Sequence, residues 1–215
     1  MNEKFFDLSR VKQDRMINGA LEVFAKNGFK HASTDDMVKA VDVSKGLWFH
    51  YFGSKLGLYT FVYGYSVKYM ILELASAVDE NEKNYFEIVK QIEYAKMRTS
   101  KSYPYMTMFL EKAFEETDAD ILEQTAEDRR IYQEKMTGLI KNGEIPGIVD
   151  KAKREKFKKI AHYTIEGIVK DKALLAEPEA VYKEIKNYLE LLRDMAVAEN
   201  SARKEGELSV DTVAS

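Results

Sequence analysis

The sequence predicts an all-α protein of about nine helices, and three observations carry that prediction. Apolar residues recur at three- and four-residue spacing along most of the chain. No stretch of any length alternates as a strand would. The only three prolines, Pro104, Pro146 and Pro178, fall where a helical pattern breaks. With 45% hydrophobic residues in 215, the chain can bury a proper core, and 32% charged residues keep it soluble.

The spacing predicts a first helix over residues 9–27, with Ile17, Ala20, Leu21 and Phe24 on one face and Gly28 as a left-handed cap. A second helix starts at Ser33-Thr34, where Ser33 and Asp36 form a capping-box-like pair, and turns Met37, Val38 and Val41 inward. Ser44 caps a third helix to Tyr51, and Gly53-Ser54 ends it and opens a fourth to about residue 77. A charged loop, Asp79 to Asn84, marks a boundary, give or take a few residues. Helices follow over 84–101, 104–116, 119–142, 151–175 and 178–199, then a small, polar, unpatterned tail expected to be disordered.

Composition excludes several classes. No cysteine means no disulfide, thiolate metal site or cysteine nucleophile. No apolar run reaches the roughly 18 residues of a membrane span, and the charged start Met1-Asn2-Glu3-Lys4 does not read as a signal peptide. A cytoplasmic protein without membrane contact is expected. His31, His50 and His162 have no partners at ligand spacing, so no metal and no cofactor are expected. There is no Gly-rich phosphate loop and no Gly-x-Ser-x-Gly, so the chain is not expected to be an enzyme. The net charge of −3 is unevenly spread: residues 1–60 carry +2 and the remainder −5, which is too small an asymmetry to argue for nucleic acid alone.

The stretch from Thr34 to Leu58 is the most informative. It reads as helix, tight turn and aromatic-rich helix feeding a longer one, the layout of a DNA-reading helix-turn-helix. Thr34, the turn Val41-Asp42-Val43-Ser44, Lys45-Gly46, the run Phe49-His50-Tyr51-Phe52 and Ser54-Lys55 stand in register. Together they resemble the DNA-binding signature of the TetR family of transcriptional regulators. Ser44 and the free N–H groups after it can approach a phosphate, Lys45 adds charge, and Gly46 lets a sugar-phosphate come close. Leu47 and Trp48 lie early on the reading helix, although Trp48 could equally pack under the fourth helix. His50 and Tyr51 sit at its far end, and Phe49 and Phe52 are expected in the core. The resemblance implies that Tyr51 and Lys55 grip a flanking phosphate. Lys55 supports this, because a cation in a first helical turn opposes the macrodipole unless an anion docks there. The sequence departs from the family pattern at Asp42, at Leu47 and at Leu56-Gly57. The last removes a capping glutamate and puts a glycine where the fourth helix is expected to start loosely.

The resemblance implies a DNA-binding domain over 1–54, a ligand-binding and dimerisation domain over 55–200 linked by the helix from Lys55, and a tail over 201–215. It implies a homodimer paired through its last two helices, where Ile160, Thr164, Ile165, Ile168, Ile185, Leu189 and Leu192 form stripes. The alternative for these stripes is packing within their own domain. Gly167 would permit close helix approach. The resemblance also implies a small-molecule site in the body, for which Tyr94, Met97, Tyr105, Met108, Phe109, Tyr132 and Met136 are the candidates, although such a stripe is more often core. The expected function is a regulator, a repressor, bound to palindromic double-stranded DNA and released by a largely apolar effector. The alternatives are a helical ligand- or protein-binding module with secondary DNA binding, and a ligand-independent architectural factor.

Overall fold

The computed structural model describes residues 3–41, 43–141, 143–172 and 175–213; the turn residue Asp42 lies outside them. Among the described residues a 3-10 helix (Glu3–Asp7) precedes ten α-helices: α1 (Arg10–His31), α2 (Thr34–Val41), α3 (Lys45–Phe52), α4 (Lys55–Ala77), α5 (Tyr85–Ser102), α6 (Met106–Phe114), α7 (Ala119–Gln124), α8 (Ala126–Lys141), α9 (Lys151–Lys172) and α10 (Pro178–Val213). The fold is all-α, with no strand among the described residues. No helix among them is long and apolar enough to cross a membrane.

Three differences from the sequence-based expectation have local causes. The predicted helix over 119–142 is two, because Thr125 breaks it. Its buried hydroxyl donates to the Ile121 carbonyl at 2.7 Å and accepts from Arg129 Nε at 2.8 Å, a local bond that competes with the helical ladder. Gly28 has φ 66° and ψ 178°, so it breaks α1 as expected, but in an extended glycine-only conformation rather than the helical left-handed one. The helix α10 continues to Val213, through most of the stretch expected to be an unstructured tail.

The chain divides into two compact units, 1–75 with 98–136 and 76–97 with 137–215. The crossing at 75–76 falls a few residues before the charged loop from Asp79. In the first unit α1 is central. Its buried face, including Met16, Ile17, Leu21 and Phe24, packs on α2 and α6. Asn18 of α1 donates to the Ser102 carbonyl at 3.1 Å. The Tyr103 hydroxyl donates to Asp14 at 2.6 Å and, its proton thus committed, accepts from Tyr65 of α4 at 2.6 Å. Burial, with the Asp14 carboxylate and Tyr65 behind it, pushes the Tyr103 phenol up, so it stays a neutral donor.

In the second unit α9 and α10 pack on each other and on the start of α5. Ile168, Ile185, Leu189 and Leu192 are all at most 8% exposed and share a core with Phe86, Ile145 and Val181, and half-buried Ile165 packs against it. These residues were expected at a subunit interface, and the single chain already packs them into the core of the second unit. Ile160 is exposed and Thr164 half-buried. Around Leu189, the fully buried stripe of α10 leaves Tyr188, Leu191 and Met195 outside it. Leu189→Ala should therefore cost about 2–5 kcal/mol of folding stability, as for a core leucine. Denaturant unfolding measures it, and a loss under about 1 kcal/mol would place Leu189 outside the core.

Candidate nucleic-acid interface

The helix pair of the head is built by local caps. Ser33 Oγ accepts from the Asp35 and Asp36 N–H groups at 3.2 and 3.4 Å and starts α2. Ser44 Oγ accepts from Leu47 N–H at 3.2 Å and starts α3. Ser54 Oγ accepts from Gly57 N–H at 3.0 Å and starts α4. Met37 and Val41 turn into the core and Val38 is half-buried.

The eight residues of α3 split into two faces. Trp48, Tyr51 and Phe52 are buried, at 1%, 8% and 4% exposed. Lys45, Gly46, Leu47, Phe49 and His50 are exposed. This corrects two expectations at once. Trp48 cannot reach a base edge, because it is core, its ring 5.7 Å from Phe52. Phe49, expected in the core, stands 37% exposed on the outer face. The physical reason is the helical frame: residues 48, 51 and 52 share one side, and 49 lies with 45 and 46. The Trp48 indole N–H has no hydrogen-bond partner among the described residues.

A residue that sequence reasoning missed holds the inner face. Phe5, in the 3-10 helix, is fully buried with ring centroids 5.8 Å from Tyr51, 5.2 Å from Phe52 and 5.2 Å from Phe61. Its signal was the Phe5-Phe6 pair ahead of the first helix.

Two lysines are placed differently from expectation. Lys45 Nζ pairs with Asp35 at 2.7 Å across the starts of α3 and α2, and this holds the Asp35 carboxyl below its usual range. Both side chains are more than half exposed, so water screens the pair. Lys55 Nζ turns back from the first turn of α4. It donates to the Phe29 carbonyl at 2.9 Å and the Ala32 carbonyl at 3.3 Å, and it lies 4.4 Å from the Phe29 ring centroid. A cation there meets the carbonyl-rich, negative end of α1. A bound phosphate is therefore not needed to explain its position. Gly57 is also not a loosening element. A Cβ there would lie 2.2 Å from the Phe52 carbonyl oxygen, so α4 begins against the end of α3 and only glycine fits. By contrast, a Cβ on Gly46 would meet nothing within 4 Å. Thr34 is half-buried at the start of α2.

The candidate effector residues are divided between the two units. Tyr94 and Met97 belong to the second unit, where exposed Tyr94 packs 5.5 Å from Tyr182. Tyr105, Met108, Phe109, Tyr132 and Met136 belong to the first. Lys26 sits 4.9 Å from the Tyr105 ring centroid, and Tyr132 packs 5.9 Å from Phe114. Met108 and Met136 are half-buried. Phe109 lines a cleft of about 110 Å3 with Phe24, Tyr59, Lys112 and Glu116. That falls short of the roughly 300 Å3 of a usual small-molecule site. Glu93 is 7% exposed and pairs with Lys96, and Glu111 is exposed. No group of three His, Cys, Asp or Glu that could hold a metal occurs among the described residues. His162, expected in a core or interface, is exposed beside Glu166.

Lys55→Ala should cost about 1–3 kcal/mol of folding stability, because it leaves two carbonyls without their charged donor. Lys45→Ala should leave stability unchanged. Denaturant unfolding of both variants measures this, and equal stability of the two would remove Lys55 from its clamp.

Residues 16–60 match the family of bacterial regulatory proteins called the tetR family. No curated protein matches the chain. Among solved structures the chain is similar to the TetR family transcriptional regulator PfmR of Thermus thermophilus, at 19% identity over 84% of this chain and 97% of that one, with a TM-score of 0.53. It is also similar to a TetR family transcriptional regulator of Chloroflexus aurantiacus, at 15% identity over 92% and 97%, with a TM-score of 0.59. A TetR-like regulator of a Rhodococcus species matches at 17% identity over 93% and 99%, with a TM-score of 0.50. Identities this low speak for the fold, and residues 16–60 match the DNA-binding domain of the tetR family of bacterial regulatory proteins, to which the chain is similar.

Proposed function

We propose that this protein is a cytoplasmic, non-enzymatic transcriptional repressor that binds a palindromic operator as a homodimer and leaves it when a small molecule binds. The observation that carries the DNA reading is the outer face of α3. Lys45, Gly46, Leu47, Phe49 and His50 are exposed on a helix whose other side is locked by aromatics. A rigid helix with one free face suits insertion in a major groove. Leu47 and Phe49 offer apolar surface to thymine methyls, and His50 offers a hydrogen bond. Thr34, Ser44, Lys45 and the Tyr51 hydroxyl take phosphates, which fix register and carry no base identity. Lys55 acts as a positioning residue that seats α4 against α1. The largely apolar effector is carried over from the family resemblance.

The dimer reading rests on an unpartnered apolar stripe. Ile160 and Tyr163 of α9 are 48% and 63% exposed, and Tyr188, Leu191 and Met195 of α10 are 45%, 55% and 54% exposed. A Cβ on Gly167 would meet nothing within 4 Å, which leaves room for a partner helix. Exposed apolar residues repeated along both helices suit a protein-contact surface. One short reading helix covers few base pairs, and a two-fold axis doubles the site. The hydrogen-bonded line from Ser102-Tyr103 to Asp14 and Asn18 supports the release reading, since it ties the start of α6 to the first helix of the head.

Gly46→Ala separates function from folding. It should raise helix stability by about 0.5–1 kcal/mol, because the fold leaves open space there, yet weaken binding to duplex DNA by blocking the sugar-phosphate. Fluorescence anisotropy on the promoter region of the protein's own gene, beside thermal unfolding, reads both. Undiminished DNA binding by a stabilised variant would remove α3 from the interface.

Ile160→Glu with Leu191→Glu should give folded monomers, since both side chains are exposed in the single chain. Light scattering and circular dichroism decide it. A double variant that remains dimeric would place the interface elsewhere.

A further inference from the structure

A basic cleft in the second unit is used by nothing described above. It encloses about 510 Å3 between three segments: Lys83 before α5, the end of α8 with Gly143 and Glu144, and the first turns of α9. Lys83, Lys141, Lys151, Arg154 and Lys158 line it, against the carboxylates of Glu144 and Glu155. The chain as a whole is acidic, with net charge −3, so these cations gather against the average.

The floor of the cleft is set by backbone. Asn84 and Glu144 form a parallel bridge. Tyr85 N–H donates to the Glu144 carbonyl at 2.8 Å, and Glu144 N–H donates to the Lys83 carbonyl at 2.6 Å. Gly143 sits so close to Tyr85 that a Cβ would lie 3.2 Å from its Cα. The backbone that carries Lys83 is thus held next to Gly143-Glu144 before any ligand arrives.

The charges are left largely uncompensated. Lys158 has Glu155 at 3.5 Å and lies 5.5 Å from the Tyr85 ring centroid. No ion pair to Lys83, Lys141, Lys151 or Arg154 is formed among the described residues. Asp150 caps α9 through Lys153 N–H at 2.7 Å, but the first turn that follows holds no acid. Like charges gathered here repel one another and oppose the α9 dipole. A multivalent anion reverses the sign of both effects.

We infer that this cleft binds a small phosphorylated molecule that carries several negative charges together with hydroxyl or amino groups. The volume lies within the roughly 300–1,000 Å3 of small-molecule sites. Lysine and arginine side chains from three directions suit clustered phosphate oxygens. Glu144 and Glu155 accept hydrogen bonds from the remainder of the molecule, and they repel the continuous phosphate backbone of a nucleic acid. The site is independent of the apolar effector and of the DNA reading.

The test is calorimetric titration of inorganic tripolyphosphate into the full-length protein at constant ionic strength. Wild type should bind one per chain and saturate. The double variant Lys141→Gln/Arg154→Gln should bind at least about tenfold more weakly, the loss of two charge-assisted contacts. Lys186→Gln, a surface control outside the cleft, should bind as wild type does. Circular dichroism checks that each variant is folded. Heat that never saturates, or equal affinity in the double variant, would overturn the site. Citrate binding as tightly as tripolyphosphate would overturn the phosphate assignment. Duplex DNA affinity falling by the same factor in the double variant would make the cleft a nucleic-acid surface and overturn the small-molecule reading.

Discussion

Burial of Trp48, Tyr51 and Phe52 on one side of an eight-residue helix decides what its other side can do. A helix this short has little stability of its own, so packing must hold it. Phe5 and Phe61 supply that packing from the 3-10 helix and from α4. The aromatic contacts set the rotation of α3 about its axis. That rotation chooses Phe49 and not Trp48 for the outside, and it turns Lys45, Gly46 and His50 outward. The fold thus leaves one face of α3 free by fixing the face behind it.

The junction between α1 and α4 extends the same constraint. Lys55 binds the carbonyls that close α1, Ser54 caps α4, and the missing side chain of Gly57 lets α4 start against the Phe52 carbonyl. Three helices, α1, α3 and α4, therefore meet in the segment from Phe52 to Gly57. Farther along α4, Tyr65 joins Tyr103 and Asp14, so α1, α4 and the entry to α6 share one chain of hydrogen bonds. Hydrogen bonds linked in such a chain polarise one another, which strengthens each of them.

What was legible in the sequence was local. Ser33, Ser44 and Ser54 announce helix starts because a cap acts within three residues. Gly28 announces a break because its backbone conformation excludes other residues. The rotation of a helix was harder to read when apolar residues are adjacent. Trp48 and Phe49 stand four and three residues from Phe52, so both satisfy helical spacing, and only Phe5, far away in sequence, separates them. Leu189 and its neighbour Tyr188 pose the same ambiguity in α10, where the core of the second unit takes one and leaves the other outside. The partners of Lys55 were hidden for a related reason. Its carbonyl partners lie 23 and 26 residues away, where a first-turn lysine gives no hint of them. The break at Thr125 rests on Arg129 as well as on its own hydroxyl, and a threonine inside a helical pattern does not declare that partner.

Trp48 is the single tryptophan of the chain, and it lies wholly within the aromatic core of the head. Intrinsic indole emission therefore comes from one place, behind the exposed face of α3, and the second unit is dark at that wavelength. Helix content, in contrast, is spread over both units. The protein thus carries two optical signals of different origin. Where they change together on heating, the chain melts as one cooperative body, and where they part, the head opens on its own.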